Sequence, residues 1–224
     1  MIKQVIFDMD GLMLDSERYM WVVNETKIFN EMGYETDLAF LVSFMGQGKE
    51  HTIHNIVERY GEDFPLDEFY EKLYKANAET VDRDEIPLKE GFLDLMKYLK
   101  TTDIKITVGT SSRKDYVKRV LAKKGIIEEF DSIVYGDEVE HTKPDPDIYL
   151  KCMSRYNFDP KEVIVFEDAD SGGRAALTAG CRLIMVKDMA NISEEVASKA
   201  EAVLTSLTQA IDIIKAEYEA TTRI

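Results

Sequence analysis

Residues 2–11 read IKQVIFDMDG. The first six, Ile2 to Phe7, are β-branched and aromatic enough for a buried strand. They run straight into Asp8-Met9-Asp10 and then Gly11, whose missing Cβ permits a turn. Acids delivered to a turn by an apolar strand stand where an open α/β sheet carries its chemistry, outside the carboxyl ends of its strands.

Working outward, the next stretch has a different period. From Ser16 to about Thr80, segments such as ERYMWVVNETKIFNEMG (17–33) and DEFYEKLYKANAETV (67–81) carry apolar residues at three- and four-residue steps, as helices do, and no strand is expected there. After Pro87 and Gly91 helix and strand alternate. FLDLMKYLKTT, KDYVKRVLAKKG, DPDIYLKCMSRYN, SGGRAALTAG and SLTQAIDIIKAEYEA read as helices, and IKITVGT, SIVYG, EVIVFED and RLIMV as strands. Such alternation implies an α/β fold, a Rossmann-like parallel sheet with right-handed crossovers. The expected division is a core of residues 1–15 and 86–224 with an all-helical insert, 16–85.

The chain has 224 residues, 45% of them hydrophobic, enough for a substantial core. Forty-three acidic residues against 28 basic ones leave a formal charge of −15, which disfavours nucleic acid or an anionic membrane as partner. Cys152 and Cys181 lack CxxC spacing and are expected to be reduced thiols rather than a disulfide or zinc site. No apolar stretch approaches the roughly 20 residues that span a bilayer, and the first residues lack a signal-peptide pattern. A cytoplasmic enzyme is expected, monomeric or weakly dimeric.

Four strand ends carry candidate chemistry. Asp8 and Asp10 could bind a hard cation through oxygen, or one could attack phosphorus while the other moves a proton; the plain alternative is a turn capped by Asp. Thr110, Ser111 and Ser112 follow IKITVG and offer hydroxyls and backbone N–H groups to a phosphoryl oxygen, or an ordinary helix cap. Lys143 lies in HTKPDPDIY, stiffened by Pro144 and Pro146. Glu167 and Asp168 end VIVFED before a glycine-containing turn. Four such ends are hard to explain as four independent caps, and a parallel sheet brings them to one edge.

Taken in order, FDMDGLMLDSE, TVGTSS, KPDPDIY and FEDADSGGRAALTAG resemble the four motifs of the haloacid-dehalogenase superfamily. The helical insert is similar to the small cap of its phosphatase and β-phosphoglucomutase-like subgroup. The resemblance implies that Asp8 forms an aspartyl-phosphate and Asp10 is the general acid/base. It implies that Thr110, with Ser111, binds phosphate, and that Lys143 neutralises charge. Mg2+ is the implied cofactor, held by Asp8, Asp168 and the backbone carbonyl of Asp10, with Glu167 a secondary acid beside it. One departure is Ala169, where the subgroup usually has Ser.

The insert bears on the substrate. Glu17, Arg18, Lys49, Glu50 and His51 are polar enough to read a sugar or phosphate, although a solvated helical face explains them equally simply; Glu17 and Lys49 are the candidate contacts. Trp21, Phe29, Phe40 and Phe44 are expected to pack the insert's own core. Mutases of the subgroup typically carry a Tyr-His pair shortly after the first motif; here Tyr19 is followed by Met20, and Lys49 stands where they tend to have Arg. The expectation is a Mg2+-dependent phosphatase acting on a small phosphorylated metabolite, a sugar phosphate above all. The alternatives are a phosphosugar mutase and a non-catalytic phosphometabolite binder.

Overall fold

The computed structural model describes residues 1–43, 45 and 49–222. In chain order it holds β1 (Gln4–Phe7), a π-helical segment (Glu17–Val23), α1 (Asn24–Glu31), α2 (Leu38–Val42), α3 (Lys49–Tyr60) and α4 (Leu66–Asp82). There follow α5 (Phe92–Leu99), β2 (Lys105–Gly109), α6 (Lys114–Lys123), β3 (Ser132–Val134), α7 (Asp147–Ser154), β4 (Val163–Glu167) and α8 (Asp170–Thr178). The chain continues through β5 (Arg182–Val186), α9 (Glu194–Lys199), β6 (Ala202–Leu204) and α10 (Thr208–Thr222).

The six strands form one sheet in the order β3-β2-β1-β4-β5-β6, every pairing parallel. This is the expected α/β, Rossmann-like sheet with one addition, the edge strand β6. Its three residues, Ala202-Val203-Leu204, are too few to show a period of two, so only the pairing with β5 reveals it. Strand order reverses between β1 and β4, the crevice where doubly wound sheets bind ligands.

The chain divides into two compact units, residues 1–14 with 88–224, and residues 15–87. In the first, the central strands β1 and β4 are wholly buried, and Ile6, Val165, Ile148, Tyr149, Ala175, Leu183 and Val196 belong to a core under α7 and α8. The Phe7 ring stacks on Phe166 at 5.3 Å and meets Phe92 edge-on at 5.8 Å. Burial of each ring contributes about 1.5–3 kcal/mol. Phe7 and Phe166 immediately precede Asp8 and Glu167, so this packing is the floor on which the acids stand.

Among the described residues of the second unit, the regular structure is helical. Phe29 is at its centre, fully buried, with the rings of Phe40, Tyr60, Phe64 and Phe69 at 4.7–6.1 Å. Trp21 and Phe40 pack against this core as expected, and Phe44 lies outside the described residues. No described helix is long and apolar enough to cross a membrane.

Candidate active site

The register of β1 on β4 pairs Phe7 with Phe166, and the Asp8 N–H donates to the Phe166 carbonyl at 3.0 Å. One residue further, Asp8 emerges beside Glu167 and Asp168. Carboxylate oxygens of these three buried acids all lie within 4.8 Å of one another. Hydrophobic strands force the acids there: the apolar runs Val5-Ile6-Phe7 and Val163-Ile164-Val165-Phe166 are consumed in the sheet, and the acids that follow fall at its carboxyl edge.

Lys143 reaches this cluster from the loop before α7. Its ammonium hydrogen-bonds to Asp8 Oδ1, and to Glu167 Oε1 at 2.6 Å. The Tyr149 hydroxyl donates to the same Glu167 oxygen at 2.5 Å, and Lys143 Nζ sits 5.0 Å from the Tyr149 ring centre. The other oxygen, Oε2, accepts the backbone N–H groups of Asp168 at 3.1 Å and Ala169 at 3.3 Å. A Cβ on Gly172 would come 1.8 Å from Glu167 Oε1, so only glycine leaves room for this carboxylate.

Burial pushes the Asp8 carboxyl up, Lys143 opposes the shift and the charges of Glu167 and Asp10 reinforce it; the result is about 7. Burial works against the Lys143 ammonium, yet Asp8 and Glu167 outweigh it and hold the group above its ordinary range. Three buried acidic side chains face one ammonium in a poorly hydrated place, so the site has more acidic groups than positive charges to offset them. With all donors hard oxygens, the set suits a hard divalent cation.

Asp10 turns elsewhere. After Gly11, at φ +86°, the chain folds back so that the Gly11 N–H meets the Leu14 carbonyl at 2.9 Å. The Asp10 carboxylate accepts the Ser112 hydroxyl at 2.7 Å and the Tyr116 hydroxyl at 3.0 Å. Alternation along an extended strand would put Asp8 and Asp10 on one side, whereas the turn gives each its own partners.

Thr110 is buried at the end of β2, and its N–H donates to the Val134 carbonyl at 3.1 Å. Its Oγ1 accepts the Ser112 N–H at 3.0 Å. The N–H groups of Thr110 and Ser112 are therefore committed to the loop, a correction to the expectation that they face a ligand; the Thr110 hydroxyl proton is still available. Ser111 is exposed. A Cβ on Gly136 would meet the Ser111 carbonyl oxygen at 2.0 Å, so the close approach of Gly136 keeps this loop in place.

Of the candidate contacts in the helical unit, Glu17 is buried in the π-helical segment, not solvated, and the side chain of Lys49 lies outside the described residues. Glu50 and His51 are exposed, and Arg18 pairs with Asp15 at 3.3 Å. Cys152 and Cys181 are free and buried, and burial lifts each thiol to about 12.

Sequence reasoning passed over Tyr116, Tyr149, Gly136 and Gly172. Tyr149 closes KPDPDIY, and Gly172 sits five residues after Glu167. Either could be found by asking what encloses a buried Lys–Glu pair. Tyr116 offers no signal beyond lying in the first turn of α6, shortly after Ser112.

The family model described as "Haloacid dehalogenase-like hydrolase" matches residues 5–186. A Drosophila melanogaster protein named "Probable pseudouridine-5'-phosphatase" is 33% identical over 92% of this chain and 90% of its own. A "Phosphorylated carbohydrates phosphatase" of Thermotoga maritima is 30% identical over 82% of this chain and 84% of its own. A β-phosphoglucomutase structure from Clostridium difficile superimposes with a TM-score of 0.76 at 24% identity, covering 100% of both chains, which speaks to the fold. With the motifs, the sheet and the matched span in agreement, the chain belongs to the haloacid dehalogenase-like hydrolase family.

Proposed function

We propose that the protein is a Mg2+-dependent phosphatase that hydrolyses a small phosphomonoester, a sugar phosphate above all, through a phosphorylated Asp8. The observation that carries this reading is the Lys143 ammonium seated between Asp8 and Glu167 at the β1/β4 switch point. The family's hydrolase description and relatives named for pseudouridine 5'-phosphate and phosphorylated carbohydrates support the substrate class.

Mg2+, held by Asp8, Asp168 and the Asp10 carbonyl, would supply positive charge against the phosphate dianion. Asp8 attacks phosphorus as the bond to the leaving oxygen breaks, and Asp10 gives that oxygen a proton. Asp10 then takes a proton from the water that attacks the phosphorylated Asp8, which releases phosphate and restores the carboxylate. Lys143 would offset charge on the transferring group, and the Thr110 hydroxyl would donate to one of its oxygens. The helical insert, 16–85, would be the part of the chain that reads the substrate.

Turnover of a panel of phosphorylated metabolites, scored by phosphate release, tests the reading. Asp8→Asn is expected to abolish turnover and covalent phosphate labelling with the fold intact; wild-type turnover in that variant would overturn the nucleophile assignment. From β-glucose 1-phosphate the expected product is inorganic phosphate, and glucose 6-phosphate would favour a mutase instead.

A further inference from the structure

Each oxygen of Asp10 accepts a neutral hydroxyl, Ser112 on Oδ2 at 2.7 Å and Tyr116 on Oδ1 at 3.0 Å. We propose that Tyr116 is a positioning residue for Asp10, working as a pair with Ser112. The inference rests on the reading of Asp10 as the proton carrier.

Asp10 lies on a short loop over Gly11, and the terminal torsion of an Asp side chain is broad and nearly two-fold, so backbone position alone does not orient the carboxylate. One tie to each oxygen fixes both its plane and its rotation. The ties come from a stiff element. Ser112 is held through its N–H on Thr110 Oγ1 and through its carbonyl, which accepts the Gly136 N–H at 2.9 Å. Tyr116 stands on α6, anchored by the buried Val117, Val120 and Leu121. Ser112, in the loop just before α6, and Tyr116, in its first turn, thus converge on one target from two sides of the extended Arg113. Being uncharged, the two hydroxyls orient Asp10 without adding an ammonium beside it, unlike the hold of Lys143 on Asp8. Proton transfer requires donor and acceptor within hydrogen-bond reach in the transition state, so loss of orientation falls on the chemical step rather than on substrate binding.

The test compares wild type, Tyr116→Phe, Ser112→Ala, Asp10→Asn and the double variant Asp10→Asn/Tyr116→Phe on p-nitrophenyl phosphate with Mg2+, alongside thermal melts. Tyr116→Phe keeps the ring and removes only the hydroxyl. It is expected to lower kcat about tenfold, a part of the 10²–10⁴ that a positioned acid/base supplies, with KM and Tm nearly unchanged. Ser112→Ala should act in the same direction. In the Asp10→Asn background, removal of the Tyr116 hydroxyl should change nothing further. An unchanged kcat in Tyr116→Phe, a change confined to KM, or an equal loss in both backgrounds overturns the positioning role while the phosphatase reading stands. Absence of turnover by wild type on every phosphomonoester tried overturns that reading and this inference with it.

Discussion

Lys143 Nζ lies 2.6 Å from Glu167 Oε1, and the same oxygen receives the Tyr149 hydroxyl at 2.5 Å, so one buried carboxylate oxygen organises both a cation and a phenol. Glu167 reads more naturally as the holder of Lys143 than as a mere neighbour of Asp168, since its other oxygen is also occupied, by two backbone N–H groups.

Removal of that carboxylate leaves the Lys143 ammonium and the Tyr149 hydroxyl without their shared acceptor. Glu167→Ala is therefore expected to cost roughly 3–5 kcal/mol in urea unfolding, the range for breaking a buried pair, and to depress kcat as Lys143 loses its orientation. Glu167→Gln keeps an oxygen acceptor of the same shape and should lose less on both counts. Equal stability of wild type and Glu167→Ala would contradict the assignment.

Gly172→Ala tests the same carboxylate from the other side. The added methyl would lie 1.8 Å from Glu167 Oε1 and 2.0 Å from its Cδ, so the side chain must move. Alanine ordinarily favours a helix over glycine by about 1 kcal/mol; here the expectation is the opposite sign, a lower Tm together with reduced turnover. A Tm above wild type would show that the Glu167 side chain yields freely.

The alternating pattern made the sheet legible wherever the segments are long, as in α5, β2, α6, β4 and β5. RLIMV coincides with β5 residue for residue. β3, also three residues, was legible within the longer apolar run SIVYG, whereas β6 has no such run around it, and the six residues of α9 do not complete two turns. In the site, Asp8, Lys143, Glu167 and Asp168 were legible as polar residues at the ends of apolar strands or in a stiffened loop. The partners of Asp10 were not: Ser112 and Tyr116 are ordinary polar residues at a helix start, and 106 positions separate Tyr116 from the carboxylate it touches. That meeting depends on strand order, which periodicity does not encode.

Within the helical unit, Glu25 is 1% exposed and its Oε2 has no hydrogen-bond partner. Burial raises this carboxyl from 4.5 to about 8. The folded form thus holds its proton where the unfolded chain has already lost it. The contribution to stability is fully present below about 4.5 and disappears as pH rises through about 8, at roughly 1.4 kcal/mol for each pH unit between the two values. Glu25→Gln, which removes the ionisation and keeps the shape, should flatten the decline in Tm between pH 5 and pH 8 (about the window set by those two values) and raise stability at its upper end. A decline of unchanged steepness in the variant would place its origin elsewhere.

Asp8→Asn and Lys143→Met remove opposite members of one buried pair, and their effects on stability should have opposite signs. Asp8 stands in a cluster with more negative than positive charge, and burial already pushes its carboxyl up to about 7. An amide there relieves repulsion toward Glu167 and Asp168, so Asp8→Asn should match or exceed wild type in Tm. Lys143→Met deletes the cation that Asp8 and Glu167 share and leaves their charges uncompensated, which is expected to cost roughly 3–5 kcal/mol. Melts with a chelator present keep any bound cation from masking the difference. Both variants should lose turnover, so activity alone does not separate them. A Tm that falls by the same amount in each would mean that the mutual attraction of the pair, not the excess negative charge, dominates the energetics of this site.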